Sequence, residues 1–154
     1  MEYQVVKWLH ILSSTLLFGT GLGSAYYMFF TSLTRHPAAT AIVVRRVVWA
    51  DWIFTTTTIV FQPLSGLYML HLLKLPLTTP WILWSFVLYA LAGACWLPVV
   101  WLQIHMRRMA DDAVARNAPL PPKYFRYLRI WTALGVPAFV ALVIVFWLMV
   151  AKPT

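Results

Sequence analysis

Four runs of mostly apolar residues, at about 5–30, 50–73, 81–104 and 131–150, decide what this 154-residue chain can become. Each is long enough to cross a hydrocarbon core of roughly 30 Å as a helix. Lipid supplies no hydrogen-bond partners, so a spanning segment must satisfy its backbone internally. The expected fold is therefore all-α, a four-helix transmembrane bundle forming a single integral membrane domain over 1–154, with loops at 31–49 and 105–130. Composition agrees: 62% of residues are hydrophobic and 10% charged, with nine Trp, which excludes an ordinary soluble domain.

The first run differs from a secretion signal in its leader, MEYQVVK, which carries Glu2 as well as Lys7, in its length, and in the stop-transfer flank of Arg35, Arg45 and Arg46. It is expected to stay as a span. Orientation follows from the basic residues. Arg35, Arg45 and Arg46 lie between spans one and two, and Arg107, Arg108, Arg116, Lys123, Arg126 and Arg129 between spans three and four, against Lys7, Lys74 and Lys152 on the opposite side. The positive-inside rule then places both loops in the cytoplasm and both termini on the outer, periplasmic side of a bacterial inner (plasma) membrane.

A net charge of +8 would suggest nucleic acid in a soluble protein. Here the charge flanks membrane spans without aromatic interleaving, so anionic lipid headgroups are the expected partner and nucleic acid is not. Cys95 is the one cysteine, which excludes an intrachain disulfide, a CxxC metal site and a CxxCH haem attachment. Trp8, Trp81, Trp84 and Trp147 mark one interfacial belt, and Trp49, Trp52, Tyr124, Tyr127 and Trp131 the other. Gly19 and Gly23 form GxxxG, which with Ser65, Gly66, Gly93 and Gly135 predicts close helix packing, within the chain or across a homodimer.

Pro63, Pro98 and Pro137 fall inside spans two, three and four, where each removes a backbone donor that a neighbour must offset. Gln62 and the run Thr55 to Thr58 put polar groups on span two, as interhelical hydrogen bonds or as a polar pathway. MRRMADDAVARN continues the third helix past the membrane, with Arg107–Asp111 and Arg108–Asp112 at i,i+4, and PLPP at 119–122 ends it. Asp51 is expected to pair with Arg45 and Arg46, or, if buried, to relay protons.

Of the four histidines, His36 and His105 are expected in wet positions near the loops. His10 and His71 share a depth near the outer ends of spans one and two. In Lys7-x-x-His10 the chain runs inward and in His71-x-x-Lys74 outward, so each imidazole has a lysine about 4.5 Å nearer the surface. On two antiparallel helices this suits a b-type haem, with His10 and His71 as axial ligands and Lys7 and Lys74 near the propionates. Ser13, Ser14, Leu17 and Gly21 follow on the His10 face, and the small ones leave room for a flat ring. Copper is the rival cofactor, through Met69, His71 and His10. The bland alternative makes both histidines interhelical hydrogen-bonding groups and both lysines snorkelling cations.

The series KWLHILS, FGTGLGSAYYMF, DWIFTTTTIVFQPLSGLYML, PWILWSFVLYALAGACWLPVVWLQIHMR and ALGVPAFVALVIVFWLMVAKP resembles a bacterial family of small four-span membrane proteins of unknown function, DUF2269-like, over nearly the whole chain. More distantly the chain is similar to the HemJ-type protoporphyrinogen oxidases and the CopD-type copper-resistance proteins. The HemJ likeness lies in Lys7-x-x-His10, the small-residue patch after it, and Gly-Leu-Tyr-Met-Leu at 66–70, and it implies a haem-binding role for His10. Ser85 and Trp96 stand where the HemJ type has a lysine and a histidine in the third span, so what transfers best from the resemblance is the scaffold and the first-span histidine.

Together these features predict a membrane b-type haem protein, an electron-transfer protein or haem-dependent oxidoreductase, with quinone or a porphyrin-like compound as partner. The alternative is a non-enzymatic membrane subunit or small transporter, handling copper or protons, whose histidines are structural or bind copper. No Ser-His-Asp arrangement, phosphate loop or carboxylate pair can be assembled for hydrolysis or group transfer.

Overall fold

A computed structural model describes residues 1–153. It is all-helical: α1 (Glu2–Leu33), α2 (Pro37–Ala50), a π-helical turn (Asp51–Thr55), α3 (Thr56–Leu73), α4 (Pro80–Ala115) and α5 (Pro122–Ala151). The stretch Pro37–Leu73 is helical throughout, so four helical segments are long and apolar enough to cross a membrane. One end of the bundle carries both described chain ends and the α3–α4 turn, and is called the termini end below. The other carries most of the arginines.

Helix limits follow local chemistry. His36 caps α2 through Nδ1, which accepts from the Ala39 N–H at 3.3 Å, and Pro37 supplies the preset φ of a first helical residue. Lys74 ends α3 in the left-handed region (φ 54°). Its N–H reaches His71 O at 3.2 Å and that of Leu75 reaches Leu70 O at 3.1 Å, a Schellman closure. Asn117 closes α4 the same way, with φ 52° and Ala118 N donating to Ala113 O at 2.9 Å. Prolines at the first turns of α4 and α5 start both helices where a missing N–H costs nothing.

The 31–49 segment expected as a loop is mostly α2, and α5 begins at Pro122 rather than near 131. Hydropathy sees only where lipid could lie, and Arg45, Arg46 and the basic 123–129 stretch lower it without breaking helix. The predicted continuation of the third helix is present, ending at Ala115.

Most large buried apolar side chains gather in the arginine half, where Met28, Val44, Val47, Leu102, Met106, Leu120, Tyr124 and Leu128 form one cluster from α1, α2, α4, α5 and the α4–α5 connection. Tyr124 and Trp131, expected in an interfacial belt, belong to this core (0% and 7% exposed). Ser32 gives its proton to Met28 O and accepts from the Tyr124 hydroxyl, both at 2.7 Å, which places Tyr124 inside the bundle. Trp8, Trp49, Trp52, Trp84 and Trp147 are exposed, as lipid-facing belts require.

Arg45 pairs with Asp111 of α4 at 2.8 Å, and Arg107 approaches the same carboxylate at 3.7 Å. Asp51 is therefore not the partner of Arg45 or Arg46. It makes no ion pair among the described residues, because the helical path carries its carboxyl into the bundle, away from the arginines on the outer face.

Candidate functional site

The residues that the second span buries are Asp51 and Thr55 in the π-turn, then Thr58, Gln62, Ser65 and Leu70 in α3. From Asp51 to Ser65 the spacing runs four, three, four, three, which keeps one helical stripe turned inward. Every residue of that stripe is polar. A charged residue at the centre of a lipid-facing helix costs about 2.5–3.5 kcal/mol, so burying the stripe moves the cost from lipid to the protein interior. At about 1.5 Å per residue it extends about 21 Å, some two thirds of a hydrocarbon core.

The π-turn has a local cause. Thr55, Thr56, Thr57 and Thr58 each return a hydroxyl to this helix: Thr56 to Asp51 O at 3.0 Å, Thr57 to Ile53 O at 2.7 Å, Thr58 to Phe54 O at 2.6 Å, and Thr55 to the Asp51 carboxylate at 2.9 Å. Hydroxyls competing for carbonyls loosen the regular ladder, and π-turns fall frequently at functional sites.

At the arginine side of the stripe, Asp51 is 6% exposed. Gln103 of α4 lies beside its carboxyl, and a cavity of about 20 Å³ opens between Asp51, Thr56, Trp96 and Gln103, enough for about one water. Gln103 Oε1 and Trp96 Nε1 are buried and have no hydrogen-bond partner. An acid, a free acceptor and a free donor thus border one small space.

At the termini side, His10 of α1 places Nδ1 2.7 Å from Ser65 Oγ. That hydroxyl has one proton and also lies 2.7 Å from Phe61 O, so the proton goes to the carbonyl and the imidazole donates from Nδ1. Nε2 then carries the ring's free lone pair. Gln62 Nε2 donates to His10 O at 2.9 Å, and Gly66 admits the ring: a Cβ there would meet Cε1 at 3.7 Å. Ser13, one turn along α1, is buried with its hydroxyl unpartnered.

Between these ends, Pro63 cannot donate to Ile59 O, and the Tyr89 hydroxyl of α4 fills that place at 2.8 Å. The neighbour that an intramembrane proline requires is thereby identified.

His71 is exposed and stands about 120–140° around α3 from Ser65 and Gly66, so the two histidines do not face each other. Lys74 is the exposed helix-capping residue, and Lys7 is exposed with its ammonium 6.0 Å from the Tyr3 ring. Met69 follows Ser65 by four and continues the His10-facing stripe, half-buried. Among the described residues no three of His, Cys, Asp and Glu gather as a metal site. Sequence reasoning named Asp51, the threonines and Gln62 separately. It missed Gln103, whose only signal was an uncharged amide within the apolar third span, and noted Trp96 without placing it beside Asp51.

Fold and site together define the class, an integral membrane protein of four helical spans with a polar interior along its second. The chain belongs to the family described as Predicted integral membrane protein (DUF2269), whose profile matches residues 4–153. Comparison with curated proteins and with solved structures gave no match.

Proposed function

We propose that this protein handles protons in the bacterial inner membrane, passing them along the second span between His10 and Asp51. One observation carries the reading: the interior face of that span is polar without interruption from Asp51 to Ser65, with a titratable group at each end. Hydrogen bonding between helices would need one or two such groups, and intramembrane acids that face an interior mark proton relays. His10 has a free Nε2 lone pair to take up a proton and an Nδ1 proton to lose, so it would load and unload protons at one end, and a water between Asp51, Gln103 and Trp96 would carry the transfer at the other. The basic residues set the direction, with His10 periplasmic and Asp51 near the cytoplasm.

The test is proton flux into liposomes holding the purified protein, reported by a trapped pH dye under a potassium diffusion potential. Flux above protein-free vesicles, lost in Asp51→Asn and reduced in His10→Gln, is expected. Flux equal to empty vesicles would refute the reading.

A second reading is favoured by the same imidazole. A histidine whose Nδ1–H is held by a hydrogen bond presents Nε2 as metal-ligating histidines do, and haem at His10 is what the resemblance of its Lys7-x-x-His10 motif to the HemJ type would imply. The bis-histidine arrangement does not fit, because α1 and α3 pack in direct contact at Ser65 and Gly66 and His71 is turned away. A b-type haem would have His10 Nε2 alone from this pair; copper would have it with Met69. When bound, such a group would supply one-electron chemistry. A Soret band in the purified protein that disappears in His10→Ala would establish this second reading.

A further inference from the structure

A groove of about 890 Å³ runs between α4 and α5 at the arginine end, apart from the polar stripe. Lys123, Arg126 and Arg129 stand along one side of it. Among the described residues the only ion pairs are those of Arg45 and Arg107 with Asp111, so no carboxylate neutralises these three. Lys123 lies 5.4 Å from the Tyr127 ring, which holds the ammonium at the groove. Trp101 is 5.8 Å from Tyr127 and 4.0 Å from His105, an aromatic wall of the kind found at headgroup depth. Beyond the cations the lining turns apolar, with Pro98, Leu102, Ile130 and Leu134.

We infer that this groove is a binding site for one anionic phospholipid, its phosphate held by Lys123, Arg126 and Arg129 and an acyl chain laid along Pro98, Leu102, Ile130 and Leu134. Charge selects an anion, since basic pockets between spans recognise acidic headgroups. The apolar continuation selects a lipid over free phosphate, which would use the cationic side only and leave the apolar lining without a partner from the same ligand. The volume falls within the 300–1,000 Å³ usual for specific ligand sites. The inference does not depend on proton handling.

Native mass spectrometry of the full chain released from detergent, titrated with phosphatidylglycerol or phosphatidylcholine, tests it. The chain should retain one phosphatidylglycerol in preference to phosphatidylcholine. Lys123→Gln/Arg126→Gln/Arg129→Gln should weaken retention at least tenfold, while Arg46→Gln/Arg108→Gln/Arg116→Gln, with the same loss of charge, should retain it. Leu134→Trp keeps every charge, fills the apolar end and should also release the lipid, which keeps the test decisive if the triple variant misfolds. Equal loss in both triple variants would reduce the site to diffuse attraction and overturn it. Displacement of the lipid by inorganic phosphate, or full retention by Leu134→Trp, would overturn it equally.

Discussion

The two halves of this bundle are held together differently. In the arginine half, Met28, Val44, Met106, Tyr124 and Leu128 interlock as a core of large side chains, most of them apolar. In the termini half the buried residues are chiefly small or polar: Ser13, Gln62, Ser65, Ser85, Ala92 and Ala141, with Leu17, Leu70 and Ile82 among them. A membrane protein gains little by moving apolar groups from lipid to its interior, so packing and hydrogen bonds must supply association. The first half relies on packing. The second leaves its interior to hydrogen bonds between small and polar groups.

The comparison breaks first at the packed half. Met106 is fully buried, and Met106→Ala should destabilise the bundle by about 2–5 kcal/mol in a reversible detergent unfolding titration. A cost under about 1 kcal/mol would show that the arginine half is not the anchor. In the polar half, Ser65→Ala leaves the His10 Nδ1 without its partner, and hydrogen bonds of this kind in membrane proteins are worth about 0.6 kcal/mol and at most about 1.7. The same titration should therefore separate the two substitutions clearly. Tyr89→Phe frees Ile59 O again and should cost a similar 0.6 kcal/mol or so, with amide exchange quickened around Pro63. Smallest of all is Gly66→Ala: its Cβ would sit in ordinary contact with His10, so stability should move by less than about 1 kcal/mol, whereas Gly66→Leu should displace the ring and change the His10 proton resonances.

The spans were legible because length and apolarity alone exclude other folds, and the third helix's extension because its Arg107–Asp111 pair is a local signal; of the expected pairs Arg108–Asp112 does not form among the described residues, and Asn117 closes the helix just before PLPP. Partnerships were not. Counting residues put His10 and His71 at one depth, but His10 meets Ser65 and Gly66, which lie about 8 Å along α3 from His71, and the same offset turns His71 to the surface. Asp51 follows two arginines closely in sequence, yet Arg45 reaches Asp111, sixty-six residues away. At Gly19 and Gly23 an added Cβ would meet nothing within 4 Å among the described residues, and the close approach falls at Gly66 instead. The Asp51 site needed α4 to complete it, and nothing in the order of residues says that Gln103 and Trp96 face the second span.

The central claim is that the buried stripe of span two carries protons, and adjacent threonines offer its most direct test. Thr58 is buried in the stripe and Thr57 is exposed on the lipid side. Proton flux should be measured in matched liposomes for Thr58→Leu and Thr57→Leu. The account predicts that Thr58→Leu stops flux while Thr57→Leu keeps it near the unsubstituted rate; equal flux in the two variants would contradict it.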